Sequence, residues 1–301
     1  MSQAPPTLSV GLAVRNGSDV VGRCIESVLS QDFADLQLVV CDNVSDDGTV
    51  ALLEQYARAD PRVTVHVNDV NIGSHENMKR TLQLSRGTLF RWISADDWLE
   101  PGCLSACVAA LERHPEAIGV TTWFTINVDG GATRYEEYRG EFPTSPDPAR
   151  RFERMLWFFH AGDAKYDPVY GMYRREALMR ARPLRPLERT DWLMSAELAL
   201  AGPIVHVHER LANRSRSYSV GIDRTAFRRR LDPMRGEQLK TSTRGLCREL
   251  YAAVGSADLT PEQLRRCRRA LGRFWVKEVV SRARSRAADA RHRARQMRAG
   301  P

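Results

Sequence analysis

The sequence predicts an α/β protein: a mostly parallel sheet flanked by helices, followed by a basic helical extension. Within the first hundred residues, four apolar runs of strand length alternate with segments of helical periodicity, and the connections between them are short. Such alternation is typical of a parallel sheet wrapped by helices. After about residue 222 the pattern is helical throughout, with no internal repeat. We therefore expect one domain over residues 1–222 and an extension over residues 223–301.

Each predicted strand of the first half is a short apolar run bounded by polar or glycine-containing segments. Continuous apolar runs of this length favour strands that are buried on both faces. Capping residues or proline open the intervening helices, and Gly87 is expected to end the third. The predicted strands are residues 7–14, 36–40, 63–67 and 88–93, and the predicted helices begin at Ser18, Thr49, Ser74 and Pro101.

Beyond residue 115 the pattern changes. Two strand-like segments flank Asp129-Gly130-Gly131, which predicts a hairpin. The elements expected after it are a helix over the apolar residues from Phe152 to Phe159, a short strand and helix within residues 168–178, a helix capped at Thr190 or Asp191 and ended by Gly202-Pro203, and a strand over residues 204–208. His206 and His208 share one side of that strand, and we interpret them as partly exposed strand residues rather than a two-histidine metal site.

The composition is that of a soluble globular protein. The 301 residues are 43% hydrophobic and 27% charged, and no segment approaches the ~20 apolar residues of a membrane span. The N-terminus has neither the basic start nor the apolar run of a signal peptide, so we expect a cytoplasmic location. The six cysteines include no C-x-x-C pair and are expected to be reduced core thiols. Cys103 and Cys107, four apart on a predicted helix, have no histidine or second cysteine pair nearby.

The net charge of +8 belongs to the C-terminal tail. Residues 261–301 carry 12 arginines and one lysine against three acids, a net charge of +10, which leaves −2 for residues 1–260. The tail up to about Val279 has helical apolar spacing and is expected to pack on the domain or on a partner. Beyond Arg282 two readings stay open: a solvated basic helix, or attachment to anionic lipid headgroups or an acidic partner. Nucleic acid is not expected, because no aromatic residue accompanies the arginines after Trp275.

Polar residues stand at the end of each of the four predicted parallel strands. Because open α/β sheets bind ligands beyond the carboxyl ends of their strands, these residues predict one site on that rim. The residues are Asn16, Asp42, Asn43, Asn71, Asp96 and Asp97. Adjacent Asp96 and Asp97 repel each other unless a cation lies between them, and two acids exceed what one helix cap needs.

Four motifs resemble those of glycosyltransferase family 2, the nucleotide-sugar-dependent enzymes of GT-A fold. They occur in the family's order and span about residues 8–218. The motifs are CDNVSDDGT from Cys41, NIGSHENMKRTLQLSRG from Asn71, SADD from Ser94 and RTDWLMSAELALAG from Arg189. The resemblance implies a nucleotide-binding half over about residues 7–100, an acceptor half over about residues 101–222, and a divalent metal cofactor, Mn²⁺ or Mg²⁺.

The resemblance also implies roles for individual residues. Asp42 would hydrogen-bond the nucleotide base, Arg15 and Asn16 would line the same pocket, and Asp191 would be the general base of an inverting transfer. Asp96 and Asp97 would hold the ribose and the metal. The donor-binding residues implied are Ala13, Arg15, Asn16, Asp42, Asn43, Asn71, Gly73, Asn77, Ser94, Asp96, Arg214 and Arg216.

Three departures from the family pattern mark this chain. Arg15 precedes Asn16 where the family often has tyrosine, Ser94 stands at the first acid of the D-x-D segment, and Thr190 replaces the glutamate before Asp191. Many relatives have a histidine near the end of the domain. Here Arg214 and Arg216 occupy that region, where guanidinium groups can grip a diphosphate.

Several functions remain open at this stage. Besides glycosyl transfer from a nucleotide sugar to a glycan, a lipid-linked or a small-molecule acceptor, we consider a nucleotidyltransferase with a similar sheet. The third possibility is a non-catalytic nucleotide- or saccharide-binding protein docked by its basic tail. The arginine-rich, lysine-poor composition is typical of a GC-rich bacterium, which admits roles in cell-envelope glycan or secondary-metabolite glycosylation and peripheral attachment at the inner face of the membrane.

Overall fold

A computed structural model describes residues 4–128, 133–136, 141–160, 168–181, 187, 189–216, 228, 229, 233 and 243–298. The expected alternation of strands and helices is confirmed. The strands are β1 (Leu8–Val14), β2 (Leu36–Asp42), β3 (Val63–Val67), β4 (Leu89–Ser94), β5 (Trp98–Leu99), β6 (Gly119–Val128), β7 (Thr133–Glu136), β8 (Met172–Arg174) and β9 (Ile204–Arg216). The helices are α1 (Val21–Leu29), α2 (Thr49–Ala59), α3 (Ser74–Leu84), α4 (Cys103–Arg113), α5 (Pro148–Phe158), α6 (Arg175–Arg180), α7 (Thr190–Ala201), α8 (Thr243–Ser256) and α9 (Pro261–Arg298).

One mixed sheet runs through the protein in the order β3-β2-β1-β4-β8-β6-β9-β5, and β7 pairs with β6. The first four strands are parallel, with Leu12 of β1 opposite Val40 of β2 and Ile93 of β4. β8 joins antiparallel to both β4 and β6 and so connects the two halves. The carboxyl ends of β1, β2, β3 and β4 therefore lie along a single edge, as predicted.

The two faces of the sheet have separate cores. One is built from the inward faces of β1 and β2, with α1 and α4 packed over them; Leu12, Ile25 and Leu104 are fully buried there. The other contains Phe90 and Trp92 of β4 together with α5, α7, α8 and α9. Because α8 and α9 share a core with α5 and α7, the extension is packed against these two helices. The predicted boundary at residue 222 lies outside the described residues.

Several element limits differ from the predictions. α1 begins at Val21 without a side-chain cap, so Ser18 does not start it; instead the Ser18 N–H donates to Asp47 in the neighbouring loop. α4 begins at Cys103 rather than Pro101, because Trp98 and Leu99 first pair with β9. The last strand is longer than expected, since pairing with β6 extends it to Arg216.

Other predictions were accurate. Thr49 and Ser74 begin their helices, and β6 and β7 pair antiparallel as the hairpin requires, although its turn residues 129–132 lie outside the described part. All six cysteines are buried and none forms a disulfide. Within the described residues, no helix combines the length and the apolar character that crossing a bilayer requires.

Candidate functional site

Two adjoining cavities open at the carboxyl edge of the parallel strands. The larger has a volume of about 820 Å³ and the smaller about 320 Å³. His75, Met78, Ser94 and Tyr170 line both cavities and so form their common boundary. The predicted rim is therefore concave and large enough for a ligand with two parts.

The structure brings most of the predicted binding residues to these cavities. Ser94 lines both, while Asn16, Asp42 and Gly73 line neither. The larger cavity is lined by Ala13, Arg15, Asn43, Asn71, Asn77 and Ser94. The smaller cavity is lined by Ser94, Asp96, Asp97, Asp191 and Arg214. Arg216 ends β9, and its side chain lies outside the described part.

Four asparagines close the wall of the larger cavity. Asn43 Nδ2 donates to Asn71 Oδ1 (2.7 Å), Asn68 Nδ2 donates to Asn43 Oδ1 (3.0 Å) and Asn77 Oδ1 (2.9 Å), and Asn77 Nδ2 donates to the Cys41 carbonyl (2.8 Å). Asn43, Asn68 and Asn77 are at most 4% exposed. Because buried amides are costly unless paired, this network holds the ends of β1, β2 and β3 in one arrangement.

Asp42 and Asn16 fasten two loops behind that wall. Asp42 is fully buried, and its two carboxylate oxygens accept from the backbone N–H and the hydroxyl of Ser45. Asn16 has a positive φ of 52° and exchanges two side-chain hydrogen bonds with Asp46, of 2.8 and 3.1 Å. In this arrangement both residues shape the loops after β1 and β2.

The two adjacent carboxylates have different surroundings. Asp96 is exposed, and its Oδ1 accepts a 2.5 Å hydrogen bond from the Ser94 hydroxyl. Asp97 is 8% exposed; its Oδ1 accepts from the Ser215 N–H at 3.0 Å, and its Oδ2 lies 3.8 Å from Arg214 Nε. Both residues line the smaller cavity, but Asp96 is exposed there, whereas buried Asp97 attaches the turn after β4 to β9.

Asp191 is exposed in the first turn of α7 and lines the smaller cavity with Asp96. The N-cap of α7 is Arg189, so Asp191 lies within the helix rather than capping it. Its carboxylate therefore borders the same space as that of Asp96, where it is placed to take a proton from a hydroxyl group bound in the cavity.

Glu278 of α9 braces the start of α7. It is 5% exposed and accepts from Arg189 Nη1 at 2.8 Å, and His160 Nε2 lies 3.0 Å from its other oxygen. Burial raises the pKa of Glu278, but Arg189 and His160 outweigh burial and bring that pKa below its ordinary value. The helical extension thereby positions the element that carries Asp191.

His206 and His208 share one side of β9, as predicted. Their ring centroids are 5.1 Å apart, and His206 stacks on Phe142 at 4.5 Å. Burial, followed by the charge of His208, lowers the pKa of His206 to about 3. A histidine in this environment is neutral at physiological pH, so it serves packing rather than proton transfer.

The sequence reasoning missed several residues of the site. Asn68 directly follows β3. The argument that placed Asn71 on the rim, its position after a parallel strand, applies equally to Asn68. His75 and Met78 lie in the first two turns of α3. The predicted helix start at Ser74 was the feature of the sequence that could have placed them near the rim. No sequence pattern pointed to Tyr170. Tertiary packing alone brings it to the site, where the Arg214 guanidinium stacks 4.2 Å from the centre of its ring.

Comparison with known proteins agrees with this geometry. A sequence model described as Glycosyl transferase family 2 matches residues 9–187. Chondroitin synthase from Escherichia coli is 33% identical over 123 residues, which are 40% of this chain and 17% of that protein.

Two solved structures have a similar fold. S. aureus TarS 1-349 in complex with UDP-GlcNAc superposes with a TM-score of 0.66 and 16% identity over 89% of this chain and 71% of that one. The mannosyltransferase PcManGT from Pyrobaculum calidifontis, in complex with GDP-Man and Mn²⁺, gives a TM-score of 0.53 and 16% identity over 96% and 80%. At such identities the likeness establishes the fold alone.

Proposed function

The chain belongs to glycosyltransferase family 2 and has the GT-A fold, and from this premise we propose that it is an inverting enzyme. It moves a sugar from a nucleoside diphosphate sugar to an acceptor hydroxyl. The observation that carries the proposal is that Asp96 and Asp191, from different halves of the chain, line one cavity. Donor binding and proton acceptance can then occur around a single anomeric carbon.

The larger cavity is proposed to hold the nucleoside. Arg15, Asn71 and His75, the more accessible polar residues of its lining, offer hydrogen-bonding groups to a base and a ribose. TarS is described with UDP-GlcNAc and PcManGT with GDP-Man, which supports a nucleoside diphosphate sugar as the donor class. The diphosphate would lie at the boundary of the two cavities, where the Arg214 guanidinium offers charge-assisted hydrogen bonds.

Ser94 and Asp96 are proposed to hold a divalent cation, Mn²⁺ or Mg²⁺, together with the diphosphate. Among the described residues no three His, Cys, Asp or Glu side chains gather into a cation site of their own. A cation bound mainly by phosphate oxygens and water needs only one or two carboxylates, and exposed Asp96 meets that need. When bound, the cation supplies charge neutralisation for the departing diphosphate.

Asp191 is the proposed general base. Its carboxylate takes the proton of the acceptor hydroxyl as the hydroxyl oxygen forms a bond to the anomeric carbon. The bond from that carbon to the diphosphate breaks on the opposite face and the nucleoside diphosphate leaves, which inverts the anomeric configuration. Asp191 lies in the first turn of α7 and Ser94 at the end of β4. The proposed base and the proposed donor-binding group are therefore positioned by two different secondary-structure elements.

The acceptor is proposed to be a growing cell-envelope glycan, a lipid-linked saccharide or a small molecule. The match to part of a chondroitin synthase favours a glycan. The smaller cavity lies beside Asp191 and half-buried Tyr170, and an aromatic residue in its lining is suited to contact with a sugar.

We further propose that α9 attaches the enzyme to an anionic membrane surface at the cytoplasmic side. Trp275, Val276, Val279 and Val280 are 37–60% exposed on α9, beside Tyr251 of α8, and the tail carries a net charge of +10. Apolar and aromatic side chains next to arginines are typical of interfacial helices. Co-sedimentation with anionic but not neutral vesicles, lost in Val276→Asp, is the expected result; equal sedimentation with both favours a solvated helix.

The test of the transfer reaction is product analysis. The purified protein is incubated with UDP- and GDP-sugars, Mn²⁺ and a panel of saccharide acceptors, and the products are identified by mass spectrometry. Release of nucleoside diphosphate with a glycosylated acceptor is expected. Pyrophosphate release would indicate nucleotidyl transfer instead, and donor binding without turnover across the panel would support a non-catalytic binding protein.

A further inference from the structure

Arg91 is a buried cation in the middle of β4. It is 3% exposed and projects on the face of the sheet covered by α4. The acceptors of its guanidinium among the described residues are two sulfur atoms: Nη1 lies 3.5 Å from Cys103 Sγ and 3.9 Å from Cys107 Sγ. Its Nε, also buried, has no hydrogen-bond partner in the described part. A buried guanidinium without a carboxylate requires some other negative charge.

Cys103 is the residue best placed to supply that charge. It is the first residue of α4, where the N-terminal end of the helix dipole stabilises a thiolate. A hydrogen bond from Cys107 acts first to lower the pKa of the Cys103 thiol; burial opposes it, Arg91 adds to it, and the pKa lies at about 7 against an ordinary 9.0. The surroundings of Cys103 therefore favour its thiolate more than those of an ordinary thiol.

The other buried cysteines provide an internal contrast. Burial raises the pKa of Cys24, with Asp97 and Asp96 adding to the effect, and burial raises the pKa of Cys41 to about 12. Cys103 and Cys24 are both fully buried. What distinguishes Cys103 is therefore its surroundings: a guanidinium, a donating thiol and a helix start.

A small internal cavity lies beside Arg91. Its volume is about 30 Å³, and Arg91, Ile93 and Leu99 are among its lining residues. A cavity holds a water molecule from about 10–15 Å³ upward. Hydrogen peroxide is only slightly larger than water, and the guanidinium offers it hydrogen bonds. Arg91 lines this cavity and the two cysteines do not, so a small neutral oxidant is expected to reach the thiols by way of the guanidinium.

We propose that Arg91, Cys103 and Cys107 form a hydroperoxide-reactive dithiol site. The Cys103 thiolate attacks one peroxide oxygen; the O–O bond breaks, the sulfur is oxidised to sulfenic acid, and the other oxygen leaves as hydroxide and takes up a proton to become water. The Cys107 sulfur then attacks Cys103 Sγ and loses its proton as the S–O bond breaks and water leaves. Overall, two thiols and one peroxide give one disulfide and two waters.

Oxidation also removes the counter-charge of Arg91. The same strand ends at Ser94, which lines both cavities, so an uncompensated guanidinium under β4 loosens the support of the site. The spacing requires some movement, because Cβ atoms four residues apart on a helix are about 5–6 Å apart and disulfide Cβ atoms about 3.5–4.5 Å apart. Gly102 is the N-cap of α4 and has a φ of 78°. We expect the backbone of the first turn of α4 to rearrange at this residue.

The experiment is peroxide oxidation of the reduced full-length protein at neutral pH, followed by peptide mapping. A disulfide between Cys103 and Cys107 that a reductant reverses is expected, and Cys107→Ser should stop at a Cys103 sulfenic acid that dimedone traps. Cys24→Ser is the matched control and should oxidise like the parent. Arg91→Met should slow the reaction at least about tenfold, since it removes the cation that stabilises the thiolate.

Two results would overturn the proposal. One is oxidation of Cys247, at 8% exposed the most accessible of the six cysteines, before Cys103; the other is an unchanged rate in Arg91→Met. If that variant does not fold, ultraviolet thiolate absorbance decides the question in the folded parent and Cys103→Ser. A thiolate signal near neutral pH that Cys103→Ser lacks supports the site, and identical titrations of the two proteins refute it.

Discussion

On the larger-cavity side of the rim, Asp42, Asn43 and Asn77 are at most 2% exposed and hydrogen-bond within the protein, whereas Asp96 and Asp191 at the smaller cavity are exposed. All five residues are polar, and each lies close to the start or the end of a secondary-structure element. The difference indicates that the larger cavity has a prebuilt wall, while the smaller cavity presents its carboxylates to whatever enters. Structural and chemical roles have been divided between the two sides.

The largest effect is expected from Asp191→Asn. Loss of the proton acceptor should lower kcat by about 10²–10⁴-fold, while the donor dissociation constant changes little because the larger cavity is untouched. Release of nucleoside diphosphate and donor calorimetry measure the two quantities. Glu112→Gln, an exposed acid on α4, is the matched control. Undiminished transfer in Asp191→Asn would remove Asp191 from the mechanism.

The adjacent carboxylates give a matched pair. Asp96→Asn should weaken Mn²⁺-dependent donor binding and transfer without changing Tm, because this side chain is exposed. Asp97→Asn should instead lower the free energy of unfolding by about 1–3 kcal/mol, since Asp97 accepts from the Ser215 N–H and lies beside Arg214. Thermal unfolding and donor titration with and without Mn²⁺ separate the two effects. Loss of stability in Asp96→Asn together with loss of Mn²⁺-dependent donor binding in Asp97→Asn would contradict the proposed roles of the two carboxylates.

Asn77→Ala tests the wall itself. It removes the donor to the Cys41 carbonyl and the acceptor for Asn68, which should cost about 1–3 kcal/mol of stability and weaken donor binding through the displaced wall. Gln55→Ala, an exposed amide on α2, is the control. Denaturant unfolding measures the stability. A stable variant with normal donor affinity would show that the network is dispensable.

The last prediction concerns the pH dependence that His206 confers on stability. Its folded pKa of about 3 lies below the ordinary 6.5, so between these values the unfolded chain binds a proton that the folded chain does not. Stability should therefore fall as pH decreases from 6.5 towards 3, by at most about 1.4 kcal/mol per pH unit for this one proton. Urea unfolding at several pH values should give a shallower dependence for His206→Asn than for the exposed control His114→Asn. Equal slopes in the two variants would assign the dependence to other groups.

The parallel half was largely predictable because its signals are local. The four apolar runs are visible in the sequence, and the helix starts at Thr49 and Ser74 were placed correctly although neither residue caps its helix. Strand ends in a parallel sheet must meet at one edge. The second half was less predictable, since the extension of β9 to Arg216 depends on pairing with a strand some eighty residues earlier. The supporting role of Glu278 likewise depends on a contact between distant segments.

By itself the sequence determined the fold class, the family motifs and most of the polar residues brought to the rim. Periodicity and strand order act along the chain and can be read from it. Only the tertiary structure decided which of these polar residues are buried and paired and which are exposed, as with Asp97 and Asp96. The reason is physical: a side chain's solvation and partners are set by segments that pack against it from elsewhere in the chain, and adjacent positions in sequence can receive opposite surroundings.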